Sequence, residues 1–152
     1  MRKMTKKNKI LAAAGALALV AGGGGAAYAY WTTTGDGSGY AANSAGGGTV
    51  TLHAAFDRGL TPGDFRTVTY TADNADPNTS TRVGELTATV TTDKEGCLAV
   101  WFPVTAVTDD ALVAAHSSGT TVGTGRLDFT DLPDTDQEAC KGAIVTITVD
   151  SL

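Results

Sequence analysis

The sequence predicts an all-β protein whose folded part is an antiparallel β-sandwich of six to eight strands. Three observations predict it. From Thr49 onward, apolar residues recur at every second position, the period of a strand with one face buried. The alternating runs are rich in Thr and Val, which suit a pleated, half-covered surface. Clusters of Gly, Pro, Asn and Asp separate the runs at short intervals.

The first element, residues 1–29, reads as an export signal. Arg2, Lys3, Lys6, Lys7 and Lys9 make a basic start, and Ile10 to Val20 is an apolar run. A glycine run, Gly22 to Gly25, leads to Ala27-Tyr28-Ala29, a small-x-small site that predicts cleavage after Ala29. Export machinery and a signal peptidase are the partners this implies, and the mature chain is expected outside the cell or at its surface. The alternative is an uncleaved anchor. Ile10 to Trp31 is long enough to span a bilayer, with Tyr28, Tyr30 and Trp31 at the outer interface. The glycine run weighs against it as a poor stretch of helix. Membrane contact is expected only through this segment if it is kept. No Cys lies near the site to carry a lipid.

Residues 30–48 are Gly, Thr, Ser, Ala and Asn without apolar periodicity, and they read as a flexible spacer. Residues 49–152 form the expected sandwich domain. Val50, Leu52, Ala54 and Phe56 alternate with Thr51, His53 and Ala55. Leu60 to Asp64 is a turn, with Pro62 preset for the bend and Gly63 free to take positive φ. Val68, Tyr70 and Ala72 alternate with three Thr, and Asp73 to Ser80 is a second turn region. Val83 to Thr91, Leu98 to Val107, Arg126 to Thr130 and Ile144 to Val149 supply the remaining strands. Asp109 to Ala115 is the one stretch that reads as a helical turn, with the Asp pair as its cap. The pattern suits an immunoglobulin-like sandwich, although Trp101 follows Cys97 too closely for an antibody domain.

Cys97 and Cys140 are the only cysteines, and in an oxidising compartment they are expected to form one disulfide. It would close a loop of about 44 residues and tie two strand entrances together, worth about 4 kcal/mol at the upper end. Redox-active thiols would call for a Cys-x-x-Cys spacing, which is absent.

Catalytic chemistry finds little support. His53 points away from the apolar face of its strand, and His116 lies in a loop beside Ser117 and Ser118. The sequence holds neither a Gly-x-Ser-x-Gly elbow nor a His-Glu-x-x-His helix. The expectation is therefore a protein without enzymatic activity and without a cofactor. The sharpest local feature is an acidic stretch in which Asp131, Asp134, Asp136 and Glu138 could converge on calcium, a hard ion that takes six to eight oxygens. The EF-hand pattern is not met, and a solvated acidic loop is the plainer reading. Tyr70, Trp101 and Phe102 are expected to fill the core in preference to forming a stacking platform. Asn78-Thr79-Ser80 matches a glycosylation sequon in a context that looks bacterial.

Residues Leu17 to Asp36, ending Gly-Gly-Ala-Ala-Tyr-Ala-Tyr-Trp-Thr-Thr-Thr-Gly-Asp, resemble the signal region of camelysin and TasA-type exported proteins. Those are processed in Gram-positive bacteria by a SipW-type signal peptidase. The Leu60-Thr-Pro-Gly-Asp64 turn leading into Thr67-Val-Thr-Tyr-Thr-Ala-Asp-Asn74 resembles the first half of small bacterial surface sandwich modules. Asp136 to Val149 resembles the closing strand of small exported actinobacterial proteins. The resemblance implies an extracellular, immunoglobulin-like surface protein that self-associates or meets a cell-envelope partner. In TasA-type fibres strands pass between subunits, and the spacer 30–48 is the segment here that could be donated. The metal-dependent protease activity described for camelysins has no zinc ligand set to rest on.

Charge completes the picture. The 152-residue chain carries −5, but its first five cations all lie before Ile10 and none of its 16 acids lies before Asp36. Without residues 1–29, six basic groups face 16 acidic ones, a body of about −10. That excludes a nucleic-acid binder working through phosphate neutralisation. The leading expectation is an exported surface or matrix protein. The alternative is a recognition module for calcium, carbohydrate or a protein partner, using its end loops.

Overall fold

The structure, a computed structural model, describes residues 36–42 and 49–152. The expected signal segment, its cleavage residues Ala27 and Ala29, and the rest of the spacer lie outside the described residues. Among those described, nine strands alternate with turns: β1 Asp36–Ala42, β2 Thr49–Phe56, β3 Phe65–Asn74, β4 Thr81–Arg82, β5 Leu86–Thr92, β6 Val104–Thr108, β7 Leu112–Val113, β8 Ser117–Asp128 and β9 Val145–Ser151. Every pairing is antiparallel.

The main sheet has the order β1-β2-β3-β8-β6, and a smaller sheet pairs β5 with β9. A two-residue ladder joins β4 to β7. The period of two does what the sequence promised. Val50, Leu52 and Ala54 of β2 and Val68, Tyr70 and Ala72 of β3 are buried, while Thr67 and Thr69 face water. On the second sheet, Val145, Ile147 and Val149 of β9 are buried, and Leu86 leads the inner face of β5. The backbone of β9 runs close to β1 and β2, and that of β5 close to β6. The two sheets thus approach along both margins around one core, a sandwich-like all-β body.

Tyr70, Trp101 and Phe102 are all in that core, as expected. Phe102 stacks on Phe129 with ring centroids 4.4 Å apart, a separation at which aromatic pairs attract beyond their buried area.

Four local expectations are corrected. The strand expected to start at Leu98 begins at Val104, and Ala99–Trp101 is a 3-10 turn instead. Trp101 N–H and Phe102 N–H bond back to Leu98 O and Ala99 O, and Pro103 has no N–H to give a ladder. The helical turn expected over 109–115 is absent. Asp110 takes a left-handed φ of 50°, which no helix accepts, and Leu112–Val113 pairs with Thr81–Arg82. The short strand expected at 126–130 is the end of β8, which runs for 12 residues. Finally, strand β1 lies inside the segment read as spacer and pairs with β2 over its whole length, Asp36 opposite Ala55 to Ala42 opposite Thr49.

β8 escaped the sequence pattern because glycine stands at two of the positions that face Tyr70 and Val68. Gly123 lies opposite Tyr70, and Gly125 opposite Val68. A Cβ on Gly125 would sit 1.9 Å from Thr105 O and 2.9 Å from the Tyr70 ring. A Cβ on Gly123 would sit 2.4 Å from Val107 O. The glycines therefore let β6 close on one side and make a slot for Tyr70 on the other. The Tyr70 hydroxyl ends that slot by donating to Thr105 O at 2.9 Å.

Candidate functional site

Cys97 and Cys140 form the expected disulfide, with Cα atoms 4.8 Å apart and both residues buried. Thr92 donates its hydroxyl to Cys97 O at the end of β5, and Ala143 N–H bonds Cys140 O just before β9. The bridge therefore ties together the loops that leave β5 and enter β9. Thr130 N–H to Trp101 O joins this region to the end of the main sheet where β3 starts and β8 stops.

The acidic stretch lies at that same end, and the structure gives Asp136, Gln137 and Glu138 local tasks. Gln137 is buried and clamps the loop, donating to Thr130 O and accepting Leu132 N–H. Asp136 caps the following turn by accepting Glu138 N–H at 2.9 Å. Glu138 pairs with Lys141. Asp131 and Asp134 are exposed, with the Asp131 Cβ beside Gly63. Among the described residues, no three His, Cys, Asp or Glu side chains are grouped as a metal ion would need.

The opposite end of the main sheet holds a different cluster, assembled from three strands. His53 on β2 and Asp73 on β3 lie on the outer face, where Thr51 is opposite Asp73 and His53 opposite Thr71. Their side chains meet diagonally, His53 Nε2 to Asp73 Oδ2 at 3.1 Å, with both about two-fifths exposed. The other Asp73 oxygen accepts Gly119 N–H at 2.7 Å. That backbone bond, opposed by partial burial and helped by His53, holds the Asp73 carboxyl below its ordinary range.

Asn74, the next residue, is buried and fully used. Its amide donates to Thr79 O and Val113 O, and its Oδ1 accepts Asp76 N–H. Asp76 in turn accepts the N–H groups of Asn78 and Thr79, and its carbonyl accepts His116 N–H. His116 holds a left-handed φ of 54°, uncommon for a residue with a Cβ. The result is a cleft of about 310 Å³ lined by Asp73, Asn74, Ala75, His116, Ser117 and Ser118.

His53 thus meets Asp73 directly, while His116 lines the same cleft from the β7–β8 connection, and separations of 20 and 43 residues from Asp73 hide both in the sequence. His53 faces outward as expected, but it is bonded to Asp73. Asp73 is the residue sequence reasoning missed. Its only local signal was an acid closing a strand at the start of a turn. Ser117 donates its hydroxyl to Ala114 O, so its proton is directed at backbone.

No family model, curated protein or solved structure matches the chain.

Proposed function

We propose that the chain is an exported, non-enzymatic surface or extracellular-matrix protein that works through its folded body. The observation that carries this reading is the buried Cys97–Cys140 bridge, because such bonds persist in oxidising compartments and are rare in reducing ones. The basic-apolar-small order of residues 1–29 supports it independently. So does a body of about −10, which keeps copies soluble and favours a cationic partner over an anionic one.

Self-association belongs to this reading. Strand β1 comes from the N-terminal side and reaches β2 through residues 43–48. Its pairing with β2 rests on a backbone ladder, which the same strand of a second copy could also make.

Intact mass and N-terminal sequencing of the protein recovered from culture fluid and from the cell surface test the export reading. The expected product starts at Tyr30 and lacks the two thiol hydrogens. A cytoplasmic chain that keeps residues 1–29 and two alkylatable thiols would overturn it.

A further inference from the structure

We propose that the cleft between the β3–β4 and β7–β8 connections binds a neutral saccharide, about one hexopyranose ring in size. The chemistry of its lining carries the inference. Asp73 offers a carboxylate fixed at both oxygens, by Gly119 N–H on one and His53 on the other. A carboxylate has about four acceptor sites, so one remains on each oxygen. Two vicinal hydroxyls match such a pair. Ser117, which donates to Ala114 O, keeps its lone pairs for a further hydroxyl, and Ser118 and His116 are exposed at the rim. Ala75 adds an apolar wall suited to sugar C–H groups. These groups both donate and accept, as a polyol requires.

The walls are built in advance. Asn74 is buried and its three hydrogen bonds tie β3, the following loop and β7 together. His116 is held in its left-handed conformation through Asp76 O. Backbone strain of this kind costs energy and persists only where the surroundings enforce it. A preformed cleft loses less entropy on binding. Its volume lies at the small end of ligand pockets.

Charge narrows the class. Neither Lys nor Arg lines the cleft, and its one acidic side chain is Asp73. An anionic sugar would meet that carboxylate without compensation. A simple ammonium would gain only one exposed ion pair, which contributes little in water.

The test is an amide NMR titration of the full folded body with methyl glucoside, methyl galactoside and methyl mannoside in turn. Sodium glucuronate and N-acetyl-lysine methylamide serve as charged controls. Saturable millimolar shifts centred on Ala75, Ser118 and Gly119 are expected for at least one neutral glycoside. Glucuronate should bind at least tenfold more weakly. Asp73→Asn should abolish the shifts. His116→Gly is the control for folding, since glycine accepts the left-handed φ. It should keep or raise the melting temperature while weakening binding several-fold. The proposal is overturned if no neutral glycoside gives saturable shifts, if the lysine analogue alone does, or if both variants bind as the parent chain does.

Discussion

Tyr70 and Gly125 act as one unit, because the ring fills the space that a Cβ on Gly125 would take. Gly125→Ala would place its methyl 1.9 Å from Thr105 O, where only backbone can yield. A loss of about 3 kcal/mol or more in a urea melt is the expected outcome, the upper end of overpacking costs. Gly119→Ala is the contrast: nothing lies within 4 Å of its Cβ, and only the positive φ opposes it. That variant should lose about 1–2 kcal/mol. Tyr70 itself carries a pH signature. Burial lifts its hydroxyl from 10.0 to about 12, because a phenolate would lose its hydration. The folded state thus favours the neutral form. The corresponding stability is complete below pH 10 and is lost as pH rises through about 12. Tyr70→Phe should cost about 1 kcal/mol at neutral pH, the worth of its bond to Thr105 O. It should also flatten the alkaline fall in melting temperature between pH 10 and 12. An alkaline limb unchanged in the variant would show that another group carries it. Asp73 behaves oppositely. Its lowered carboxyl contributes stability present above the ordinary carboxylate range and lost as pH falls through its folded value. Its exposure keeps that contribution small.

Among the elements, β2, β3 and β9 were legible because each alternates large apolar residues with Thr. β8 was not. Of its 12 residues only Val122 and Leu127 are apolar and large, and glycine lowers strand propensity wherever it stands. The glycines are there for the neighbours they admit, and a single strand does not show its neighbours. β1 was missed for a related reason: Asp-Gly-Ser-Gly-Tyr-Ala-Ala has no period, and its strand form rests on the ladder to β2. The acidic loop was read by its charges, while Gln137, the residue that organises it, is a single amide without a pattern. The cleft was illegible because its partners are brought together only by strand pairing and by the bulge between Ala72 and Asn74. The disulfide was the most legible feature, since a chain with only two cysteines offers each of them a single partner. Its removal is an element-scale test. The bridge spans 43 positions, and the chain-entropy account gives about 4 kcal/mol. Cys97→Ser with Cys140→Ser should lower the urea midpoint accordingly and free the β5 and β9 ends first. Hydrogen exchange should rise at Thr92 and Val145 before it rises at Asp73 or Gly119, which lie at the other end. Uniform loss of protection would instead mark one cooperative unit.

The described sheets are held closed at their margins, and their ordering has a consequence for assembly. β6 lies beside β5 on one side, while β1 lies beside β9 on the other. Among the residues whose burial is described, both apolar sheet faces are supplied by β2, β3, β5, β8 and β9. The β2 edge needs β1. Without β1, the N–H and C=O groups of Thr49 to Ala55 that face it would form an exposed edge seven residues long, the kind that recruits a strand from another chain. A chain of residues 36–152, whose β1 can close its own edge or a second copy's, should therefore fold cooperatively. A chain of residues 49–152 should fold with the same disulfide, melt at a lower temperature, and associate as its concentration is raised. Addition of a peptide with the sequence of residues 36–42 should return it to the monomer and recover part of the lost melting temperature. Sedimentation velocity across a concentration series reads the first effect, and calorimetry with and without peptide reads the second. If residues 49–152 stay monomeric and melt with the longer chain, β1 contributes neither closure nor a route to assembly. The self-association half of the surface-protein reading would then fall while the export half stood.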